Sequence, residues 1–285
     1  MTEALKIEHL NKQFKHFALQ EINLTVKKGM VVGLIGENGS GKSTTLRCVV
    51  NQDVPDDGTI TIFGQNAQTD PDIHKKLGVV SDGSCFPDVF SAQTISRIMK
   101  DIFPQWEEEY FFGFLKRFSV PADQPLRQFS KGMKAKLRIA CALAHHPDLL
   151  LLDEATEGLD PVVWEEILDL LQEFMESDDH AILMTSHISS DLERIADQIA
   201  YIQDGKIRFE LTREQIDRLG IAQLAREQME FIDPALVMAV RRQPLHTETL
   251  ITDRFEFKKR YPDYAISPAS LDEIIVMISK GEKQG

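Results

Sequence analysis

Met30-Val-Val-Gly-Leu-Ile-Gly36-Glu-Asn-Gly39-Ser40-Gly41-Lys42-Ser43-Thr44-Thr-Leu-Arg-Cys-Val-Val50 joins an apolar run to a helical one through a glycine-rich turn. Its apolar opening has the length of a buried strand, its centre is a glycine-rich turn, and KSTTLRCVV beyond the turn reads as a helix. The turn matches Gly-x4-Gly-Lys-Ser between a strand and a helix, the context that this spacing needs. Glycines let backbone N–H groups turn inward around phosphate oxygens, and a helix N-terminus adds positive dipole. Lys42 then reaches toward β- and γ-phosphates, and Ser43 offers its hydroxyl to Mg2+.

Outward from this unit the α/β pattern continues. LLLLD at 149–153 and AILMTS at 181–186 are short apolar runs of the kind that buried parallel strands show. Residues 1–35 break into several strand-like runs, so the chain opens with sheet. Residues 86–118 hold nine of the 22 aromatics, mostly at helical spacings. They predict a helical subdomain inserted over about 84–145, with its aromatics mainly in the core. Near residue 211 the pattern changes. YIQDGKIRFEL reads as a hairpin turning at Asp204-Gly205, and TREQIDRLG as a helix capped at Thr212 and stopped at Gly220. ALVMAV and TETLIT look like strands; a helix starts near Asp253, and Ser270-Leu-Asp-Glu273 is a capping box. The expected division is 1–211 and a small α+β appendage at 212–285.

The 285 residues are 42% apolar, enough to fill a core without staples. A net charge of −13 repels nucleic-acid backbones and anionic lipid heads, which argues against a general nucleic-acid binder. Cys48, Cys85 and Cys141 lie far apart without metal-type spacing, as expected in a reducing compartment, and MTEALKIEHL has no apolar signal core. The expectation is a cytosolic chain that does not itself cross a membrane.

Asp153-Glu154 ends the LLLL run, at the strand end where open α/β sheets place ligands. In that position Asp153 would hold Mg2+ through its water shell. Glu154 would polarise the water that attacks a γ-phosphate. Taken alone, the pair also reads as a strand end meeting a helix cap.

With these motifs in order, the sequence resembles the nucleotide-binding subunit of ATP-binding cassette (ABC) transporters. The resemblance covers residues 1 to about 211. It rests on the phosphate loop at 36–44, Phe129-Ser130-Lys131-Gly132-Met133, LLLLDE at 149–154, Glu157-Gly158-Leu159-Asp160 and Thr185-Ser186-His187. It implies a P-loop NTPase cassette: a mixed-sheet core, an antiparallel β subdomain and an inserted helical subdomain. The implied cofactors are ATP and Mg2+, with Gly36, Asn38, Gly39, Ser40, Gly41, Lys42, Ser43 and Thr44 around the phosphates and Phe14 stacked on adenine; Phe17 is the nearest rival. Ser43, Asp153 and Asp82 form the implied metal set, and Glu154, His187, Lys42 and Asp82 the catalytic one. Ser130 and Gly132 would contact the γ-phosphate held by an opposite subunit, and Asp160 would couple the two sites or simply cap the helix beginning at Pro161.

The sequence departs from the family pattern in three places. FSKGM replaces the usual LSGGQ, Asp82 stands where a glutamine is usual, and Ala155 where a proline often follows the acidic pair. A carboxylate at 82 would add negative charge near the γ-phosphate, although Ser-Asp-Gly-Ser also suits a plain turn. The resemblance further implies a second nucleotide-binding subunit, identical or not, and an integral-membrane permease that would hold the chain at the inner face of the cell membrane. The pattern is most similar to bacterial drug-, antibiotic- or peptide-export cassettes. A soluble ABC ATPase acting on ribosomes or DNA is the alternative, usually with two cassettes or long coiled-coil arms. A non-hydrolysing regulatory subunit fits poorly with Lys42, Glu154 and His187 all present.

Overall fold

The computed structural model describes residues 2–81, 86–244 and 246–281. The chain divides into two compact units, Met1–Glu210 and Leu211–Gly285. The first begins with strands β1 (Glu3–Gln13), β2 (Ala18–Lys27) and β3 (Val31–Ile35), helix α1 (Lys42–Val49), and strands β4 (Asp57–Ile62), β5 (Gln65–Asn66) and β6 (Leu77–Ser81). Helices α2 (Ala92–Ile102), α3 (Glu108–Arg117) and α4 (Lys131–Leu143) follow, then β7 (Leu149–Asp153), α5 (Pro161–Phe174), β8 (Ala181–Ser186), α6 (Ser189–Glu193), β9 (Gln198–Gln203) and β10 (Lys206–Thr212).

A six-stranded sheet has the order β10-β9-β3-β8-β7-β6, and its neighbours from β9 through to β6 pair in parallel. Every residue of β3 and β8 is buried. That is why these strands read as unbroken apolar runs: both faces of a central parallel sheet are covered. The antiparallel sheet β2-β1-β4-β5 shares its core, with Leu5, Ile7, Ile22 and Ile60 joining Val32, Leu34, Leu149 and Leu151. Each such fully buried side chain contributes about 1.5–3 kcal/mol relative to exposure.

Register sets the site. Ile35 pairs with Ser186, Thr185 with Asp153, and Asp153 with Ser81. Parallel pairing therefore brings the ends of β3, β8, β7 and β6 into one row. At the β9–β10 turn Asp204 and Gly205 both have positive φ, as a tight hairpin requires.

The helical segment differs in packing from the sequence expectation. Trp106, Phe111 and Phe114 are buried, and Trp106 Nε1 donates to Ser96 Oγ at 3.1 Å. Phe86, Phe90, Phe103, Phe112 and Phe118 are only half-buried, and Tyr110 is exposed. The aromatics are thus a surface-lining set as much as a core. Phe86 and Phe103, with Val79, Met99, Cys141 and His145, line a cavity of about 230 Å3.

The second unit contains α7 (Arg213–Arg218), β11 (Gly220–Leu224), α8 (Arg226–Met229), β12 (Val237–Arg242), β13 (Thr247–Ile251), α9 (Arg254–Arg260), β14 (Ile266–Pro268) and α10 (Leu271–Lys280). Its sheet has the order β12-β13-β11-β14 and is antiparallel throughout. Phe257 is fully buried among Leu224, Leu236, Val240 and Ile251. Gly220 does not stop a helix. It opens β11, where a Cβ would lie 2.7 Å from Arg254 Cβ and 2.9 Å from Ile266, so glycine serves close packing there.

Candidate functional site at the parallel strand ends

The glycine-rich turn leaves β3 and caps α1 in a conformation that only glycine holds easily. Gly41 has φ 120°, and a Cβ on it would meet Leu19 at 2.7 Å and Phe17 Cζ at 3.0 Å. A Cβ on Gly36 would lie 2.3 Å from Ile202 O. Ser40 is buried and its Oγ has no hydrogen-bond partner among the described residues. A buried hydroxyl left without a partner is costly unless a further group completes it.

Lys42 is 4% exposed, and its three N–H groups are all committed. It donates to Gly36 O at 2.7 Å and Glu37 O at 3.2 Å, and pairs with Glu154 Oε1 at 3.0 Å. The other Glu154 oxygen accepts from His187 Nδ1 at 2.6 Å. Burial pulls the Glu154 pKa upward, but the hydrogen bonds from His187 and Lys42 outweigh it and hold the carboxyl below the ordinary glutamate value. Glu154 itself has φ 49°, in the left-handed region that disfavours a side chain. Strain of this kind collects where a side chain must be aimed.

Asp153 Oδ1 accepts from Ser43 Oγ at 3.0 Å and from Thr185 Oγ1 at 2.7 Å. Thr185 Oγ1 also accepts from the Glu154 N–H at 3.1 Å. This hydroxyl ties β8 to both carboxylate positions, a positioning role that the sequence reading left unassigned. Its signal was present: a threonine within an apolar strand, fully buried. Ser43 and Asp153 offer oxygen donors at one spot, the donor chemistry that suits Mg2+.

The remaining sequence-selected residues fall into three groups. Phe17 reaches the loop at Gly41, and Phe14 stacks beside it with ring centroids 6.5 Å apart and planes at 29°. Ser130 caps α4 by accepting from Met133 N, and a Cβ on Gly132 would meet Val163 Cγ2 at 3.0 Å. Asp160 caps α5 by accepting from Val162 N and Val163 N. Among the described residues no hydrogen bond joins Ser130, Gly132 or Asp160 to Lys42, Ser43, Asp153, Glu154 or His187. Asp82 lies outside the described residues; Ser81, which precedes it, pairs with Asp153 in the sheet. Asn38, Gly39 and Thr44 sit in or just after the turn, and Gly39 has φ 83° with open space around its Cβ position.

Comparison with known proteins agrees with this geometry. Residues 19–157 match the family described as ABC transporter. The chain is 30% identical to the ABC transporter ATP-binding protein YtrB of Bacillus subtilis over 225 residues, 79% of this chain and 75% of that protein. It belongs to the ABC transporter ATP-binding family. The lantibiotic transport ATP-binding protein SrtF of Streptococcus pyogenes is 33% identical, over 72% of this chain and 90% of its own. Among solved structures, one described as the ATP-binding subunit of an ABC transporter superposes with a TM-score of 0.69 at 26% identity, covering 75% of this chain and 92% of that one. ABC cassettes are ATPases, and this chain is an ATP-binding subunit of that family, on a P-loop α/β fold. No helix among the described residues is long and apolar enough to cross a membrane.

Proposed function

We propose that this chain dimerises around two Mg–ATP and powers a separate membrane permease of export type from the inner face of the membrane. Residues 1–211 would be the cassette and 212–285 an accessory domain. The observation that carries the reading is the saturation of Lys42 by Gly36 O, Glu37 O and Glu154 Oε1. A buried lysine with only carbonyl and carboxylate partners is poised to exchange them for a phosphate, a more highly charged acceptor.

In this reading, phosphates at the glycine turn draw Lys42 away from Glu154. The carboxylate then loses one of the two contacts that depress its basicity, and the other, from His187, keeps it aimed. Glu154 accepts a proton from the attacking water, and Lys42 stabilises charge on the phosphoryl oxygens. Ser43 and Asp153 would hold Mg2+, which would supply neutralisation of the same charge. Phe14 would stack on adenine, while Ser130, Gly132 and Asp160 would act across the dimer. Asp82 would join the metal set.

The export assignment is supported by relatives named for bacitracin transport in Bacillus licheniformis, at 30% identity, and lantibiotic transport in Streptococcus pyogenes. The cavity lined by Phe86, Phe103, Val79 and Met99 would give a permease an apolar seat. The test is to tag the Glu154→Gln chain, purify it from detergent-solubilised membranes with Mg–ATP, and identify the co-purifying chains by mass spectrometry. A multi-span protein at stoichiometric level is expected. Recovery of ribosomal or DNA-bound proteins without a membrane protein would instead make the chain a soluble ABC ATPase.

A further inference from the structure

Glu157 changes the chemistry beside the catalytic pair. It lies on the turn after Glu154, closed by the Glu157 N–H to Glu154 O bond at 3.2 Å, and Thr156 Oγ1 pins that turn by donating to Asp191 Oδ2 at 2.8 Å. The Glu157 side chain is half-buried and has no ion pair or side-chain hydrogen bond among the described residues. Yet one carboxylate oxygen of Glu154, one of Glu157 and one imidazole nitrogen of His187 all lie within 4.8 Å of each other. Two carboxylates converge there; Lys42 is already shared with two carbonyls, and Lys131 Nζ lies over the neighbouring Gly158 without forming an ion pair with Glu157 among the described residues.

We propose that Glu154, Glu157 and His187 form a transition-metal site, filled by Zn2+ or an ion of the same preference, separate from the oxygen-donor position at Ser43 and Asp153. Zn2+ binds imidazole nitrogen and carboxylate oxygen at about 2.0–2.2 Å, which places tetrahedral donors roughly 3.3 Å apart. Small side-chain rotations bring three donors already within 4.8 Å to that spacing. Three protein ligands leave a fourth position open to water. Mg2+ prefers oxygen donors and retains its waters, so an imidazole-containing set discriminates against it. The metal replaces the hydrogen bond between His187 and Glu154 and occupies the lone pairs of Glu154, so it halts turnover while bound. The binding claim stands on geometry; only this inhibition rests on reading Glu154 as the base.

The experiment titrates the nucleotide-free full-length chain, without Mg2+, with Zn2+ by calorimetry and with Co2+ by visible absorption. One ion per chain is expected, with the intense visible bands of four-coordinate Co2+. Glu157→Gln and His187→Gln should each weaken binding at least about 10-fold. Glu157→Gln should also keep its Mg–ATP turnover without added Zn2+ and need correspondingly more Zn2+ for inhibition. Unchanged metal affinity in both variants, or absence of binding at sub-millimolar ion, overturns the site. Metal bound with these ligand dependences that leaves turnover intact supports the site and counts against Glu154 as the base.

Discussion

The strand-end site and the C-terminal unit treat charge in opposite ways. Around the glycine turn, Lys42 is 4% exposed, the Glu154 side chain is 12% exposed, and each is held by the other. In the unit from Leu211 onward, Arg218–Asp253 and Arg260–Asp233 lie at the surface and the interior closes around Phe257. Among the described residues its buried Thr249 hydroxyl finds only the Met229 sulfur, at 3.3 Å. Charge taken out of water costs several kcal/mol per ion and by itself is weak support for a fold. A fold keeps such a cluster when something else uses it. The second unit closes on a packed apolar core, whereas the strand-end site gathers buried charge.

Lys42→Ala gives the largest expected effect on ATP binding. Truncating one partner of a buried charged contact costs about 2–5 kcal/mol, so ATP affinity should fall by at least about 30-fold. Calorimetric titration with ATP checks it; unchanged affinity would erase the contrast between the two units. Phe257→Ala comes next, because emptying its fully buried site should cost about 3–5 kcal/mol in the unfolding of the C-terminal unit. Denaturant melts measure that loss, and ATP affinity should hold; a parallel loss of ATP binding would mean that the second unit also supports the site.

The smallest effect concerns His145, whose Nε2 is 2.9 Å from Leu77 O and whose pKa burial pushes below its ordinary 6.5. The imidazole therefore takes up a proton less readily in the folded chain than in the unfolded one. Its contribution to stability is complete above about pH 6.5 and is lost as pH falls through the folded value. Glu154 is also depressed, so its contribution has the same sign but is lost at lower pH, below the ordinary glutamate range. Melting temperatures at pH 7.5 and 5.5 should differ less in His145→Gln than in the parent chain. An equal drop in both would assign acid sensitivity elsewhere.

Much of the site could be read from sequence because its parts are local or lie at strand ends. The glycine turn, LLLLDE and Thr185-Ser186-His187 each end an apolar run, and parallel pairing then sets those ends side by side. The hydrogen bonds within the cluster are not local: Lys42 meets Glu154 and Thr185 meets Asp153 only through the register. In the C-terminal unit the strands over Gly220–Leu224 and Ile266–Pro268 escaped the reading. One begins with a glycine that resembles a helix stop, and the other is three residues long with a terminal proline. Their pairing is decided by tertiary contacts with β13 and with each other.

The role of Glu154 is tested by comparing ATP binding and ATP turnover in Glu154→Gln. The substitution keeps the shape of the side chain and removes its basicity. Binding within a few-fold of the parent and turnover lower by about 10²–10⁴-fold are predicted. Normal turnover with normal binding would remove Glu154 from the chemistry and leave the buried cluster without the role assigned to it.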